Sequence, residues 1–264
     1  MQEAEDFRAE SRALHALLAP LEGERFAAPT QFKGWTINDV LQHLHVWNMM
    51  AGLQLSDEAE IDRQFARLIE LEGKLRVFEN ERLDGLSGPD LLAAWIDGAE
   101  RLADAFAGAD PKQRLKWVGP SMSARSSITA RLMETWAHGQ EIYDELGVVR
   151  ANEDRIRGIV VLGVNTYRWT YMAHGQEAPG PMPQVVLTAP SGEVWSHGEA
   201  GDSGRIEGLA EEFCQVVTQT RNIEDTRLQV TGEIARDWMA KAQCFAGPPA
   251  TPPKPGERFT RTAA

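Results

Sequence analysis

Gly34-Trp35-Thr36-Ile37-Asn38-Asp39-Val40-Leu41-Gln42-His43-Leu44-His45-Val46-Trp47-Asn48-Met49-Met50 is the stretch from which the rest of the chain is best read. Thr36-x-x-Asp39 has the spacing of a capping box, with Asp in the usual Glu/Gln place. A helix is therefore expected to open at Thr36 and run to residue 52. Val40, His43, Trp47 and Met50 share one stripe by the i, i+3, i+4 rule, which points His43 inward. His45 lies about 200° around the helix from His43 at 100° per residue, and is expected on the exposed side.

On the N-terminal side, residues 3–19 place Phe7, Leu14, Leu17 and Leu18 on one helix face, and Pro20 ends the pattern. On the C-terminal side, residues 56–82 read as one long, highly charged amphipathic segment through Phe65, Leu68, Leu71, Leu75 and Phe78. Ser87-Gly88-Pro89 opens a further helix carrying Leu91, Leu92, Trp95, Ile96, Leu102 and Phe106. After a Pro/Gly loop at 117–121, a helix is expected over 126–146, with Gly147 as its C′ residue. Long helices with short connections and inward apolar stripes predict an antiparallel helical bundle over residues 1–150.

From residue 151 the texture changes. One more helix is expected over 153–176, ended by Pro179-Gly180-Pro181. Gln184–Thr188 and Glu193–His197, separated by Ala189-Pro190-Ser191-Gly192, read as a β-hairpin. Residues 205–220 return to helical periodicity through Ile206, Leu209, Phe213, Val216 and Val217. Arg227–Thr231 reads as a strand and Ile234–Phe245 as a terminal helix, so that 151–247 is expected to be a small α+β domain. Residues 248–264 are Pro-rich and read as a flexible tail.

Composition removes several functions. The 264 residues carry 27 Lys+Arg against 39 Asp+Glu, a formal charge of -12, which argues against nucleic-acid binding because phosphate affinity comes from basic side chains. No run of about 18 apolar residues predicts a membrane span. The acidic, helix-patterned N-terminus does not read as a secretory signal. Cys214 and Cys244 are too few for a disulfide framework or a cysteine zinc site, and Cys214, on an apolar stripe, reads as a small buried hydrophobe. A cytoplasmic protein acting on a small molecule is the expectation that remains, with a homodimer left open.

Six histidines offer candidate chemistry. Glu134 and His138, four apart on the 126–146 helix, lie one above the other beside the apolar stripe of Ile128, Leu132, Ile142 and Leu146. With His43 they would supply two imidazoles and a carboxylate, the open, catalytic type of divalent-metal site. Spacing alone leaves the alternative that His43 is simply a satisfied core residue. His174 and His197 have no partners at ligand spacing. Asp39, four before His43, is a candidate to orient its imidazole, or else only the helix cap. Arg125, Arg131 and Arg221 are candidates to hold a substrate carboxylate, against the alternative of solvated surface groups. Trp47 and Trp117 are the candidate pocket liners.

Residues 34–44 resemble the opening motif of the DinB-like metal-binding superfamily. Arg131-Leu132-Met133-Glu134-Thr135-Trp136-Ala137-His138-Gly139-Gln140 resembles its second metal motif, in the Glu-x-x-x-His form of the mycothiol-dependent maleylpyruvate isomerase branch. Lys116–Ser123 and Phe213–Arg221 are similar to an uncharacterised subgroup of that branch, and the resemblance spans residues 1–247. It implies a four-helix metal-binding N-terminal domain and a small α/β, sterol-carrier-like C-terminal domain. Carried over by position, it makes His43, Glu134 and His138 ligands of a divalent ion, zinc first and nickel or another ion as alternatives. It also implies a low-molecular-weight thiol, mycothiol or an analogue, supplied from outside the chain. The expected function is a thiol-dependent isomerase or transferase acting on a small electrophile. The competing readings are a non-catalytic metal or ligand binder and a metal-dependent hydrolase.

Overall fold

The computed structural model describes residues 1–117 and 121–262, so part of the loop at 116–123 lies outside the described residues. The fold is mixed α+β. The chain divides into two compact units, Met1–Ile142 and Tyr143–Ala264.

The first unit is built from α1 (Gln2–Leu18), α2 (Ile37–Ser56), α3 (Glu58–Glu70), α4 (Leu75–Asn80), α5 (Gly88–Ala107) and most of α6 (Ala124–Leu146). A two-stranded pair, β1 (Arg114–Leu115) with β2 (Met122–Ser123), leads directly into α6. The capping box is present: Thr36 Oγ1 accepts the Asp39 N–H at 3.1 Å, and the Asp39 carboxylate accepts the Thr36 N–H at 2.9 Å. Helix α5 packs on both α1 and α2 and buries Leu91, Leu92, Trp95, Ala99, Leu102 and Phe106. Each such large apolar side chain stabilises the fold by roughly 1.5–3 kcal/mol. Helices α2 and α6 meet along a polar seam. His43 and His138 meet edge-on with ring centroids 4.8 Å apart, Arg131 Nε donates to Asn48 Oδ1 at 3.0 Å, and Ser127 Oγ to Gln54 Oε1 at 2.8 Å. Partner numbers fall along α6 as they rise along α2, so the two helices run antiparallel.

The 56–82 segment is not one helix. Helix α3 ends in a Schellman motif, with Gly73 N–H donating to Leu68 O at 3.1 Å and Glu72 N–H to Ile69 O at 2.9 Å. Its C′ position falls on Glu72 (φ 54°), with Gly73 (φ 72°) left-handed as well, so a non-glycine residue takes the position where a sequence reader looks for glycine. Likewise His45 is buried rather than exposed, lying against Gly98 of α5, because α2 is covered on that side too.

In the second unit a four-stranded sheet has the order β4-β3-β5-β6, from β3 (Gln184–Thr188), β4 (Val194–His197), β5 (Arg205–Leu209) and β6 (Gln229–Thr231). The expected hairpin is β3 with β4, registered Leu187 opposite Trp195. Strand β5 runs parallel to β3 and antiparallel to β6. Residues 205–209 are thus a strand where helix was expected, and only α9 (Ala210–Val217) is helical. Gly204 (φ 96°) permits the join, since a Cβ there would run into Thr231 O. The 153–176 helix is broken into α7 (Arg157–Asn165) and α8 (Tyr167–Ala173), and the terminal helix α10 is only Glu233–Met239. Phe213, Tyr167 and Trp238 form the aromatic centre, with Tyr167 and Trp238 centroids 5.1 Å apart.

The expected flexible tail is instead tied to the second unit. Ala250 N–H donates to Gln243 Oε1 at 2.9 Å, Asn222 Nδ2 to Pro253 O at 2.8 Å, and Thr260 Oγ1 to Asp144 Oδ1 at 2.8 Å. Proline removes donors but leaves carbonyls, and the part-buried Asn222 and the buried Gln243 side chains reach those of Pro253 and Pro248. Among the described residues no helix is long and apolar enough to cross a membrane.

Candidate metal centre

The antiparallel α2–α6 seam places His43 opposite the Glu134–His138 pair, one helical turn apart on α6. His43 Nε2 is 3.5 Å and His138 Nε2 3.4 Å from Glu134 Oε2. One ligand atom from each of the three residues lies within 4.8 Å of the others. Atoms about 2.0–2.2 Å from one tetrahedral ion stand roughly 3.3–3.6 Å apart, so the two His–Glu separations fit a shared cation.

His43 is held from behind. Glu79 of α4 is fully buried, and its Oε1 accepts from His43 Nδ1 at 2.7 Å and from Trp47 Nε1 at 3.1 Å. Its Oε2 accepts from Arg76 Nη1 at 2.7 Å. Burial favours the neutral acid, but the hydrogen bond from His43 and the charges of His43 and Arg76 outweigh it and lower the Glu79 pKa. An ionised carboxylate only accepts, so Nδ1 carries a proton and Nε2 presents its lone pair toward Glu134 when the ring is neutral.

The charges of the three candidate ligands are interlocked. Burial opposes a positive His43, yet its hydrogen bonds with Glu134 and Glu79 raise its pKa overall. For His138 burial dominates and lowers the pKa. Burial likewise opposes an ionised Glu134, but hydrogen bonds from His138 and His43 hold it well below the usual carboxylate range. A carboxylate kept ionised between two imidazoles is a donor set with a deficit of positive charge. Aromatic rings wall it: Trp35 stacks on His138 with centroids 5.8 Å apart, Phe32 meets the same ring edge-on at 5.1 Å, and Trp47 lies 6.2 Å from His43.

The remaining candidates divide sharply. Asp39 does not touch His43; beyond its capping role it pairs with Arg76, which in turn holds Glu79. Trp47 is beside the cluster, and Trp117 packs edge-on against Trp47 at 5.8 Å. Arg131 is buried on the same α6 stripe, bonded through Nε to Asn48. Arg125 is an exposed partner of Glu3 at 3.2 Å, away from the cluster. Arg221 belongs to the second unit, where both its Nη atoms are committed to the buried Asp144 at 2.7 and 2.6 Å, so it is a fixed ion pair rather than a free carboxylate binder. Glu79 and Arg76 are the residues that sequence reasoning missed. They sit in the charged 56–82 segment, and nothing local distinguishes Glu79 from its solvated neighbours.

The sequence profile of the mycothiol maleylpyruvate isomerase N-terminal domain matches residues 7–143. The chain belongs to this family. The match contains His43, Glu79, Arg131, Glu134 and His138 and nearly coincides with the first structural unit. Two uncharacterized proteins from two strains of Mycobacterium tuberculosis are each 38% identical over 244 residues, covering 92% of this family member and 95% of the relative. Among solved structures, a mycothiol-dependent maleylpyruvate isomerase shares the fold with TM-score 0.53 at 15% identity, covering 81% of this chain and 87% of that one. The structure of a histidine-to-alanine mutant of that isomerase gives TM-score 0.50 at 16% identity, with the same coverage.

Proposed function

We propose that this protein is a divalent-metal-dependent enzyme that uses an external low-molecular-weight thiol to isomerise, or to be transferred onto, a small electrophilic substrate. His43, Glu134 and His138 are the proposed ligands. The observation that carries the reading is their convergence, with His–Glu separations of 3.5 and 3.4 Å and the His43 ring fixed by Glu79. Three protein ligands leave a position open, as catalytic zinc sites do, and a mixed imidazole–carboxylate set suits zinc first. A divalent ion held there lowers the pKa of a bound thiol and keeps it as thiolate.

The chain's own residues do the rest. Glu79 fixes the tautomer and orientation of His43, and Phe32, Trp35 and Trp47 keep bulk water from the cluster. Neither cysteine supplies the thiol: both are buried in the second unit, and burial pushes the Cys214 thiol up. Family membership makes mycothiol the first thiol to test and a maleylpyruvate-like conjugated acid the first acceptor. We infer further that α1, α2, α5 and α6 form an antiparallel four-helix bundle and that the second unit is a sterol-carrier-like module.

The test is elemental analysis of the purified protein and of H43A, E134A and H138A, followed by thiol binding and turnover. Stoichiometric metal in the wild type, lost in each variant, together with thiol-dependent turnover, is the expected result. Absence of a bound divalent ion overturns the metal assignment. Turnover without thiol points to hydrolysis, and thiol binding without turnover on any acceptor points to a binding protein.

A further inference from the structure

Arg76 stands at the start of α4, a six-residue helix too short to hold its own place in the fold. Its side chain is 30% exposed, so the guanidinium lies at the rim of the first unit rather than in its core. Both of its Nη atoms are nevertheless fully engaged. Nη1 donates to Glu79 Oε2 at 2.7 Å and to Asp39 O at 3.3 Å, and Nη2 donates to Gln42 Oε1 at 2.6 Å and to the Asp39 carboxylate. Acceptors on two helices thus fix the plane of the guanidinium and not only its position. With that plane fixed, the guanidinium carbon sits over the Trp35 ring, 5.1 Å from its centroid.

Trp35 depends on such contacts for its orientation. Its backbone is pinned, with Thr30 N–H donating to Trp35 O at 2.7 Å and Trp35 N–H to Phe32 O at 2.9 Å. Its indole N–H, in contrast, has no hydrogen-bond partner among the described residues. Ring contacts therefore set the indole: Arg76 over it, Phe32 edge-on at 5.1 Å, and His138 nearly parallel, at 11° with centroids 5.8 Å apart. The same guanidinium reaches both candidate histidine ligands by separate routes. Through Glu79, whose Oε1 accepts from Nδ1, it reaches His43 on α2; through the Trp35 ring it reaches His138 on α6. We propose that Arg76 is a positioning residue for both histidines, holding at once the two rings whose Nε2 atoms converge on Glu134. A lysine could give Glu79 a charge, but as a point donor it offers no plane to share between the carboxylates and the indole. The purpose of this device in turnover rests on the metal reading above, whereas the two contact routes do not.

The test uses the full-length protein in two forms. In the metal-stripped form, magnetic resonance of isotope-labelled histidine reports each imidazole, with His15, His45, His174 and His197 as internal references. Arg76→Met is expected to shift the His43 Nδ1–H resonance and the ring protons of His138 together. Arg76→Lys keeps the charge, and with it the field at both rings. It is expected to leave the His43 Nδ1–H in place and still to shift His138, because only the Trp35 contact is lost. In the second form, cobalt(II) is titrated into the stripped protein. Arg76→Met is expected to lose about 10–100-fold in cobalt affinity, as when the group behind a ligating histidine is removed, with a change in the visible bands that report coordination geometry. Trp35→Leu combined with Arg76→Lys should bind cobalt within about threefold of Trp35→Leu alone, since both changes break one contact. Losses that multiply overturn the Trp35 route. His138 signals that stay in place in both Arg76 variants overturn the proposal whatever the cobalt affinity. Should Arg76→Met not fold, Arg76→Lys decides. If wild type takes up no cobalt, the metal reading fails on its own, and the histidine spectra of the stripped protein still decide the role of Arg76.

Discussion

Glu79→Gln separates the partner of His43 that the structure places there from the one the sequence offered. The carboxylate takes two donors on Oε1, from His43 and Trp47, and a third on Oε2, from Arg76, in a fully buried position. A glutamine of the same shape cannot repeat this. With its oxygen toward His43 its NH2 faces Arg76 Nη1; flipped, the NH2 faces both ring N–H groups. Either orientation sets donor against donor, which costs about 1–3 kcal/mol for each buried group left unsatisfied. Loss of a carboxylate behind a metal-ligating histidine costs about 10–100-fold in affinity, or roughly 1.4–2.7 kcal/mol. Zinc affinity measured by competition with a chelator should therefore fall by that factor in E79Q. Urea denaturation of the metal-free protein should show the stability loss separately. Asp39→Asn provides the contrast, since Asp39 reaches His43 only through Arg76 and Glu79. It should weaken the helix cap by about 1 kcal/mol while changing zinc affinity by no more than about threefold. The reasoning fails if E79Q binds zinc within twofold of wild type while D39N loses tenfold.

Thr36→Ala removes the acceptor for the Asp39 N–H and should destabilise the protein by about 0.5–2 kcal/mol in urea denaturation without altering metal content. Asp144→Asn leaves the buried Arg221 without its countercharge and loosens Thr260; we expect a loss of about 3–5 kcal/mol and faster tryptic cleavage at Arg258 and Arg261 than in wild type. The His45 pKa is lowered, first by burial and then by the charge of Arg101, so below pH 6.5 the unfolded chain takes up a proton that the folded chain refuses. Folded stability should therefore fall as pH drops from 6.5 toward the lower folded value. His45→Leu should flatten that part of the profile, and an unchanged slope between pH 7.5 and 5.5 would count against it.

What the sequence made legible was local. The Thr36–Asp39 cap, the inward stripe through His43 and Trp47, and the Glu134–His138 pair are all i, i+3 or i, i+4 relations within one helix. The hairpin was legible because its two strands are adjacent in the chain. Strand β5 was not. Ile206, Leu209 and Phe213 satisfy a helical period, while Arg205-Ile206-Glu207 alternates with a period of two, and pairing with β3 and β6 settles the conflict. The two-helix break was hidden because Glu72, a non-glycine residue, takes the C′ position and the left-handed glycine comes only after it. The packed tail depends on Gln219 and Asn222, whose side chains each reach a carbonyl 31 residues away, as well as on the nearer Gln243. Glu79 is the same problem at the site, for its bond to His43 spans 36 residues.

The acidic excess of the chain reads differently once Glu79, Asp144 and the part-buried Glu134 are separated from it. Glu79 faces Arg76 and Asp144 faces Arg221, each a fixed guanidinium, so these carboxylates are neutralised within the fold. Glu134 has no such partner. Its neighbours are two imidazoles 3.4 and 3.5 Å away, and burial keeps one of them, His138, from charging readily. Arg131, one turn before it, turns its Nε to the neutral Asn48 instead. The α6 stripe thus carries a carboxylate short of a cation beside a guanidinium short of an anion. A direct Arg131–Glu134 bond would have cancelled both at little cost in backbone geometry, since i, i+3 partners on a helix reach one another readily. Their separation fits the proposed metal reading, in which the charge of Glu134 is kept for a cation.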